Sequence, residues 1–164
     1  MQPPFDPQRL QADIRMPWLS VAAAVLVSIA LVLVCQHFGD SIQQPLPDTT
    51  REWLRTALYA TAIVTFPFTN LLRHIQLRLN QTMPCPSDAY PATAKRRYWV
   101  TVTVSMALIQ SPVIYGFVMF YFGDPVNTLT IFTLMSALGF YLYRPKPQEY
   151  QALMTALARQ HHDE

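Results

Sequence analysis

The sequence predicts an all-α membrane protein, with four transmembrane helices arranged as two antiparallel hairpins and both termini cytoplasmic. Three observations lead there. Apolar residues make up 51% of the 164 positions and charged residues only 13%, roughly half the charged share of an ordinary soluble protein. Apart from Arg55 at the mouth of the second, charges are also excluded from four runs, residues 17–38, 53–72, 98–122 and 126–143, each near the roughly 20 residues that cross a hydrocarbon core. Finally, the basic residues are split unevenly between the two ends of those runs. Arg9, Arg15, Arg73, Arg78, Lys95, Arg96, Arg97, Arg144, Lys146 and Arg159 fall on one side, and only Arg51 and Arg55 on the other. Such a bias sets orientation, with the basic side cytoplasmic. The formal net charge of +2 is therefore a topology signal and gives no reason to expect nucleic-acid binding.

The division that follows is a cytoplasmic arm over residues 1–16, a first hairpin over 17–72 and a cytoplasmic loop over 73–97. A second hairpin covers 98–143, and a cytoplasmic tail 144–164. The first span is too long for a secretory leader and no small-x-small cleavage site follows it, so it reads as a retained helix. Leu33-Val34-Cys35 has Val34 where lipidation would want a small residue. Ser20, Ala24 and Ser28 recur every four residues along this span, a seam for close helix packing. An outer loop over 39–50, with Pro45 and Pro47, leads into the second span. There Ala57, Thr61, Thr65 and Thr69 form a second seam, and Pro67 is expected to kink the helix. Residues 73–79, with Ile75 and Leu79 four apart, should extend this helix into the cytoplasm. Met83-Pro84-Cys85-Pro86 then breaks it, and Pro91 is expected to keep the linker irregular.

The third span carries Thr101 with Ser105, Ala107 with Ser111, and the sole large hydrogen-bonding side chain at mid-depth, Gln110. Pro112 should kink this helix and free a carbonyl, which the amide of Gln110 is expected to satisfy. Phe122-Gly123-Asp124-Pro125 reads as a tight outer turn, because Gly ends helices and Pro opens them. Aromatic residues mark both boundaries: Trp18, Trp99, Tyr141 and Tyr143 inside, with Phe38, Trp53, Tyr121 and Phe122 outside. In the tail, Tyr150, Leu153, Met154 and Leu157 share one helical face. That face is expected to lie on the membrane surface, with a partner protein as the alternative. Trp18 and Trp99, and Phe38-Gly39-Asp40 beside Phe122-Gly123-Asp124, could mark a parallel duplication of the hairpin; shared boundary chemistry explains them equally simply.

Site chemistry is sparse. Cys35 and Cys85 fall on opposite sides by this topology, so no disulfide is expected between them. His37, His74, His161 and His162 do not converge as metal or haem ligands would. Four glycines leave no room for a phosphate loop, and no nucleophile has a base beside it. The expectation is a protein that is not an enzyme and binds no cofactor or metal. The residues singled out form a helix-packing or polar cluster: Gln110, Ser111, Pro112, Tyr115, Gly116, Thr61 and Thr65.

Residues 106–118, Met-Ala-Leu-Ile-Gln-Ser-Pro-Val-Ile-Tyr-Gly-Phe-Val, resemble the ion-carrying helix of rotary ATPase proteolipid subunits, where a carboxylate precedes a Tyr-Gly pair. Gln110 stands where that carboxylate would be, so the resemblance implies the helix without its ion chemistry. The motif is also on the first helix of its hairpin, where the rotors carry it on the second, and the glycine-rich partner helix is missing. Over residues 98–147 the chain also resembles uncharacterised small bacterial four-helix membrane proteins. These share the pattern Ala-Leu-x-Glu-Ser-x-x-x-Tyr-Gly, then Phe-x-Gly-Asp, and an ending that Arg144-Pro145 fits. The resemblance implies a multi-pass protein of the bacterial inner (cytoplasmic) membrane and brings no activity with it. The expected role is a non-catalytic accessory or assembly subunit whose partners are the lipid bilayer and other membrane subunits or itself. The alternative is a small transporter or channel with a polar path near Gln110, Ser111 and Tyr115, although such paths ordinarily hold an ionisable group.

Overall fold

A computed structural model describes residues 7–84 and 90–160, and among these every regular element is a helix. In chain order they are α1 (Pro7–Ile42), α2 (Asp48–Thr82), α3 (Tyr90–Tyr121), α4 (Val126–Leu142) and α5 (Pro147–Gln160). α1 and α3 are each long and apolar enough to cross a membrane. A third span is reached if α4 and α5, bent by 46° at their junction, are counted together. The four-span expectation therefore holds only in its coarser form. α2 has the length, at 35 residues, but Thr61, Thr65, Pro67, Thr69 and Asn70 dilute its apolar stretch. α4 has the apolarity but only 17 residues.

α3 is the hub. It packs against all four other helices, whereas α1 and α2 make few contacts with each other despite being joined by a short loop. Only 17% of the apolar stretch of α1 is buried, against 44% for α3. The buried positions of α1 explain the difference: Ile14, Val21, Ser28 and Cys35 lie seven residues apart, with Pro17 also buried and Ala24 and Leu31 partly so. That is an a/d seam, the narrow stripe a helix presents when it crosses one neighbour at a shallow angle. The Ser20–Ala24–Ser28 seam is therefore used within the chain.

α3 and α4 approach closely at two glycines. A Cβ on Gly139 would lie 2.4 Å from Ile109 Cγ2, and one on Gly116 would lie 2.9 Å from Phe132 Cβ and 3.2 Å from the Leu129 backbone. Small residues allow this proximity, which in lipid must come from packing because the solvent itself is apolar. The turn between them is the expected one: Gly123 has φ +94, and Pro125 precedes the first residue of α4. Gly39 differs. α1 continues through it to Ile42, and a Cβ there would lie 2.8 Å from the tip of the Phe120 ring. The Gly-Asp pairs thus do different jobs, which removes one support from the duplication reading.

Three further expectations meet a different arrangement. α3 begins at Tyr90, so Pro91 opens a helix instead of disrupting a linker, as its fixed φ and missing N–H permit in a first turn. Much of the 73–97 segment is consequently helical, while 85–89, including Cys85, lies outside the described residues. α2 and α3 run unbroken through Pro67 and Pro112. The tail does not lie on a surface: Tyr150, Leu153 and Leu157 are buried in a cluster with Ile14, Ala94, Tyr98 and Phe140, with Met154 packed at its edge. α5 folds back against α2 and α3 because covering this apolar face within the chain leaves only its polar side to solvent. His161 and His162 lie outside the described residues.

The Gly139 contact is directly testable. Gly139→Ala should destabilise the bundle by about 1–3 kcal/mol in reversible unfolding from detergent. Ile109→Ala, which removes the clashing methyl, should make the double variant more stable than the sum of the two single effects predicts.

Candidate functional site

The polar groups of the bundle fall into three sets: one at each end and one midway along α1 and α3. At the end bearing Asp124, the α1–α2 loop lies on the α3–α4 turn. Backbone N–H groups of Gln44 and Leu46 donate to the carbonyls of Tyr121 and Phe122, at 2.7 and 3.1 Å, and Gln43 Nε2 donates to the Asp124 carbonyl at 3.2 Å. The Asp124 carboxylate is fully buried. Arg55 grips it with two donors: Nε reaches Oδ2 at 2.8 Å and Nη2 binds Oδ1. Arg51 lies one turn earlier. Its Nε is 3.3 Å from Asp124 Oδ1 without hydrogen-bond alignment, so this is a charge contact only. Arg51 also donates to the Gly123 carbonyl at 3.3 Å and to Asp48 at 2.6 Å. Two guanidiniums and two carboxylates leave this set formally neutral.

At the opposite end Arg73 is buried, with 5% exposure. Its Nη1 donates to the Tyr143 carbonyl at 2.6 Å, and its Nη2 to Glu149 Oε2 at 2.6 Å and to the Arg144 carbonyl at 3.4 Å. Tyr143 in turn donates to the Phe66 carbonyl of α2 at 2.9 Å. Tyr98 donates to the Lys146 carbonyl at 3.0 Å and accepts from the Lys146 N–H at 2.8 Å. Thus the α4–α5 junction is pinned by one arginine and two phenols. Asp13 ties α1 in, accepting from Lys95 at 3.0 Å and from Tyr150 at 3.0 Å. Burial, then the hydrogen bond and charge of Asp13, push the Tyr150 phenol up from its usual range.

Between the ends, Ser28 Oγ donates to the Ala24 carbonyl at 2.9 Å and lies 3.3 Å from Gln110 Oε1. Gln110 Nε2 is buried with no hydrogen-bond partner. The carbonyl freed by Pro112 is that of Leu108, four residues back, and Ser111 Oγ takes it at 2.7 Å. The role expected of Gln110 thus belongs to its neighbour, whose short side chain reaches its own helix, while the longer amide reaches across to α1.

The residues singled out from sequence do not form one cluster. Gln110 faces α1, whereas Tyr115 packs beside Ala62, Met119 and Phe132 toward α2 and α4, its ring edge-on to Phe132 at 6.5 Å. Gly116 is the α3–α4 contact and Pro112 is buried in the helix interior. Thr61 and Thr65 return their hydroxyls to Ala57 and Thr61 carbonyls, at 2.8 and 2.9 Å. Thr65 is buried but Thr61 is exposed. Sequence reasoning missed Asp124, Arg55, Arg73 and Glu149 as partners. Arg51 and Arg55, one turn apart and separated from the other basic residues by the uncharged stretch of α2, were the available signal, since intramembrane or boundary charges keep partners.

Among the described residues no three His, Cys, Asp or Glu side chains converge as metal ligands would. Cys35 is a buried free thiol at the wall of a cleft of about 370 Å³ that includes His37, Gln43 and Phe120.

Two outcomes follow from this geometry. Asp124→Asn should cost roughly 2–3 kcal/mol of stability in detergent, below the largest losses for buried pairs because both arginines can reach water. It should also raise protease sensitivity of the 43–47 segment. Gln110→Leu should change stability by less than about 1 kcal/mol, because it removes an unpartnered buried donor and leaves Ser28 its Ala24 bond. The same unfolding measurement checks both. No family model, curated protein or solved structure matches the chain.

Proposed function

We propose that the chain is a non-catalytic integral membrane protein of the bacterial inner membrane, with four spans, cytoplasmic termini and an accessory or assembly role toward copies of itself or other membrane subunits. Support for the membrane reading comes from an inverted distribution of polarity. Leu26, Leu33, Ile63, Val64, Phe68, Leu134 and Leu138 are exposed, while Ser28, Thr69, Ser105 and Ser136 are buried. Large apolar patches on this scale belong against lipid or protein. α2 supports a fourth span: between Arg55 and Arg73 it carries no charge, a distance of roughly 27 Å at helical rise, close to a hydrocarbon core. The basic excess supports a cytoplasmic Arg73 end.

One observation carries the assembly role. Of the small-residue seams, that on α1, Thr101–Ser105 on α3 and the Thr65–Thr69 half of α2 are used inside the bundle, while Ala107 of α3 is exposed. Thr56, Ala57, Ala60 and Thr61 remain exposed on α2. Small residues facing outward at this spacing let a further helix approach closely. The resemblance of α3 to proteolipid helices fits an assembly part better than an ion carrier, since Gln110 cannot release a proton. The transport alternative is weaker because Gln110 and Tyr115 lie toward different helices.

The chain should stay in the membrane fraction after alkaline carbonate washing; release would end the membrane reading. Ala57→Leu and Thr61→Leu change exposed positions, so the chain should still fold. In-membrane cross-linking to itself or to a co-purifying subunit should drop at least fivefold. Unchanged cross-linking, or a monomer without partners in the unaltered protein, would defeat the assembly role.

A further inference from the structure

Between the Arg73-end halves of α2 and α3 lies a groove of about 400 Å³. It is lined by Gln76, Asn80, Thr93, Arg96, Arg97 and Val100 among others. Its charge is uncompensated among the described residues. Arg97 donates to the carbonyls of Asn80, Met83 and Pro84, at 3.0, 3.1 and 3.1 Å. These bonds fix the guanidinium in place and supply no negative charge. Arg96 is exposed and pairs with no carboxylate among the described residues. Among the described residues no Asp or Glu lines the groove. Asn80 is committed to Thr101 Oγ1 at 2.9 Å, whereas Gln76 Oε1 is buried and accepts from nothing. A buried acceptor without a donor is costly unless a ligand or water supplies one.

We propose that this groove binds the headgroup of an anionic, hydroxyl-bearing phospholipid of the phosphatidylglycerol type. The phosphate ester sits against Arg96 and Arg97, whose planar guanidiniums suit phosphate oxygens. A glycerol hydroxyl donates to Gln76 Oε1. The acyl chains run down the apolar side, where Val100, Trp99, Ile75 and Leu79 are exposed. Basic pockets between membrane helices at the cytoplasmic boundary are suited to such headgroups. An ethanolamine headgroup could also donate to Gln76, but it would bring a third positive charge beside two arginines. The inference rests on the membrane reading above. Carbonate release would end that reading alone, whereas headgroup selectivity is measured separately on purified protein.

The test is native mass spectrometry of the full chain in neutral detergent with equal phosphatidylglycerol and phosphatidylethanolamine. One phosphatidylglycerol should be retained with at least fivefold preference. Arg96→Gln should lower that retention about fivefold, as expected for one basic residue near a membrane surface. Gln76→Leu should lower the preference for phosphatidylglycerol over phosphatidic acid, which lacks the second glycerol. Arg78→Gln, an exposed arginine outside the groove, should change nothing. Equal losses from Arg96→Gln and Arg78→Gln would overturn the site in favour of diffuse surface charge. Equal retention of the two lipids would overturn it as well. Displacement by glycerol 3-phosphate at the same concentration would replace the lipid with a soluble phosphate ligand.

Discussion

α2 holds the bundle through the arginines at its two ends. Arg51 and Arg55 meet the turn that joins α3 to α4, and Arg73 meets the junction where α4 gives way to α5. The α3–α4 hairpin is therefore gripped at both extremities by a single helix. The residues between the two grips add little force of their own: the threonines bond their own helix, and in lipid apolar contact has no solvent drive behind it. Specific position must come from the polar ends and from close steric fit. The fit is supplied by Gly116 and Gly139 for α3 against α4, and by the seven-residue seam of α1 against α3.

This arrangement explains why the least apolar long helix can have a full structural role. A span is usually recognised by hydropathy, and α2 falls below α1 and α3 on that measure. What α2 lacks in apolar residues it makes up in charges at its two ends, each paired with acceptors of the α3–α4 turn or the α4–α5 junction. Breaking one grip leaves a buried carboxylate or guanidinium without its partner, which costs more than the intact pair contributes relative to an apolar replacement. The grips thus specify register, the vertical position of α2 against the hairpin, more than they add to total stability.

How much was legible in the sequence follows from the range of the interactions. Local signals were readable: the helical character throughout, the Gly123 turn, the continuation of α2 past Arg73, and the small-residue seam of α1. Interactions between distant residues were not. Nothing near Arg73 in sequence announces that Tyr143, Arg144 and Glu149 will surround it, so it was counted as one more positive charge. The amphipathic face of α5 was visible, but amphipathicity says only that the face will be covered and not by what; Ile14, Ala94 and Phe140 come from three other helices. Pro91 misled because a proline signals a break in the middle of a helix and a start in its first turn, and only the boundary decides between them. The polar cluster around Gln110 was inferred from proximity in sequence, yet the helix turns Gln110 toward α1 and Tyr115 toward α2 and α4.

Gln110 illustrates how a local rule can assign the right bond to the wrong atom. Pro112 does release the Leu108 carbonyl, and a side-chain donor does satisfy it. Ser111 is better placed, since a hydroxyl one bond from Cβ can fold back along its own helix, at 2.7 Å. A glutamine has to be used at longer reach. Its carbonyl meets Ser28 of α1 at 3.3 Å, while its amide nitrogen stays unpaired and buried. α1 touches the rest of the bundle along a narrow stripe, and Ser28 is the hydroxyl on that stripe. This contact joins Asp13, held by Lys95 and Tyr150, and Ser20, which accepts from Trp99 Nε1 at 3.0 Å, in setting the rotation and height of α1. The carboxylate that a proton carrier would need at this position would be a heavier and ionisable load on the same contact. An amide supplies the orientation without the charge, and it suits a helix whose task is to sit in one place.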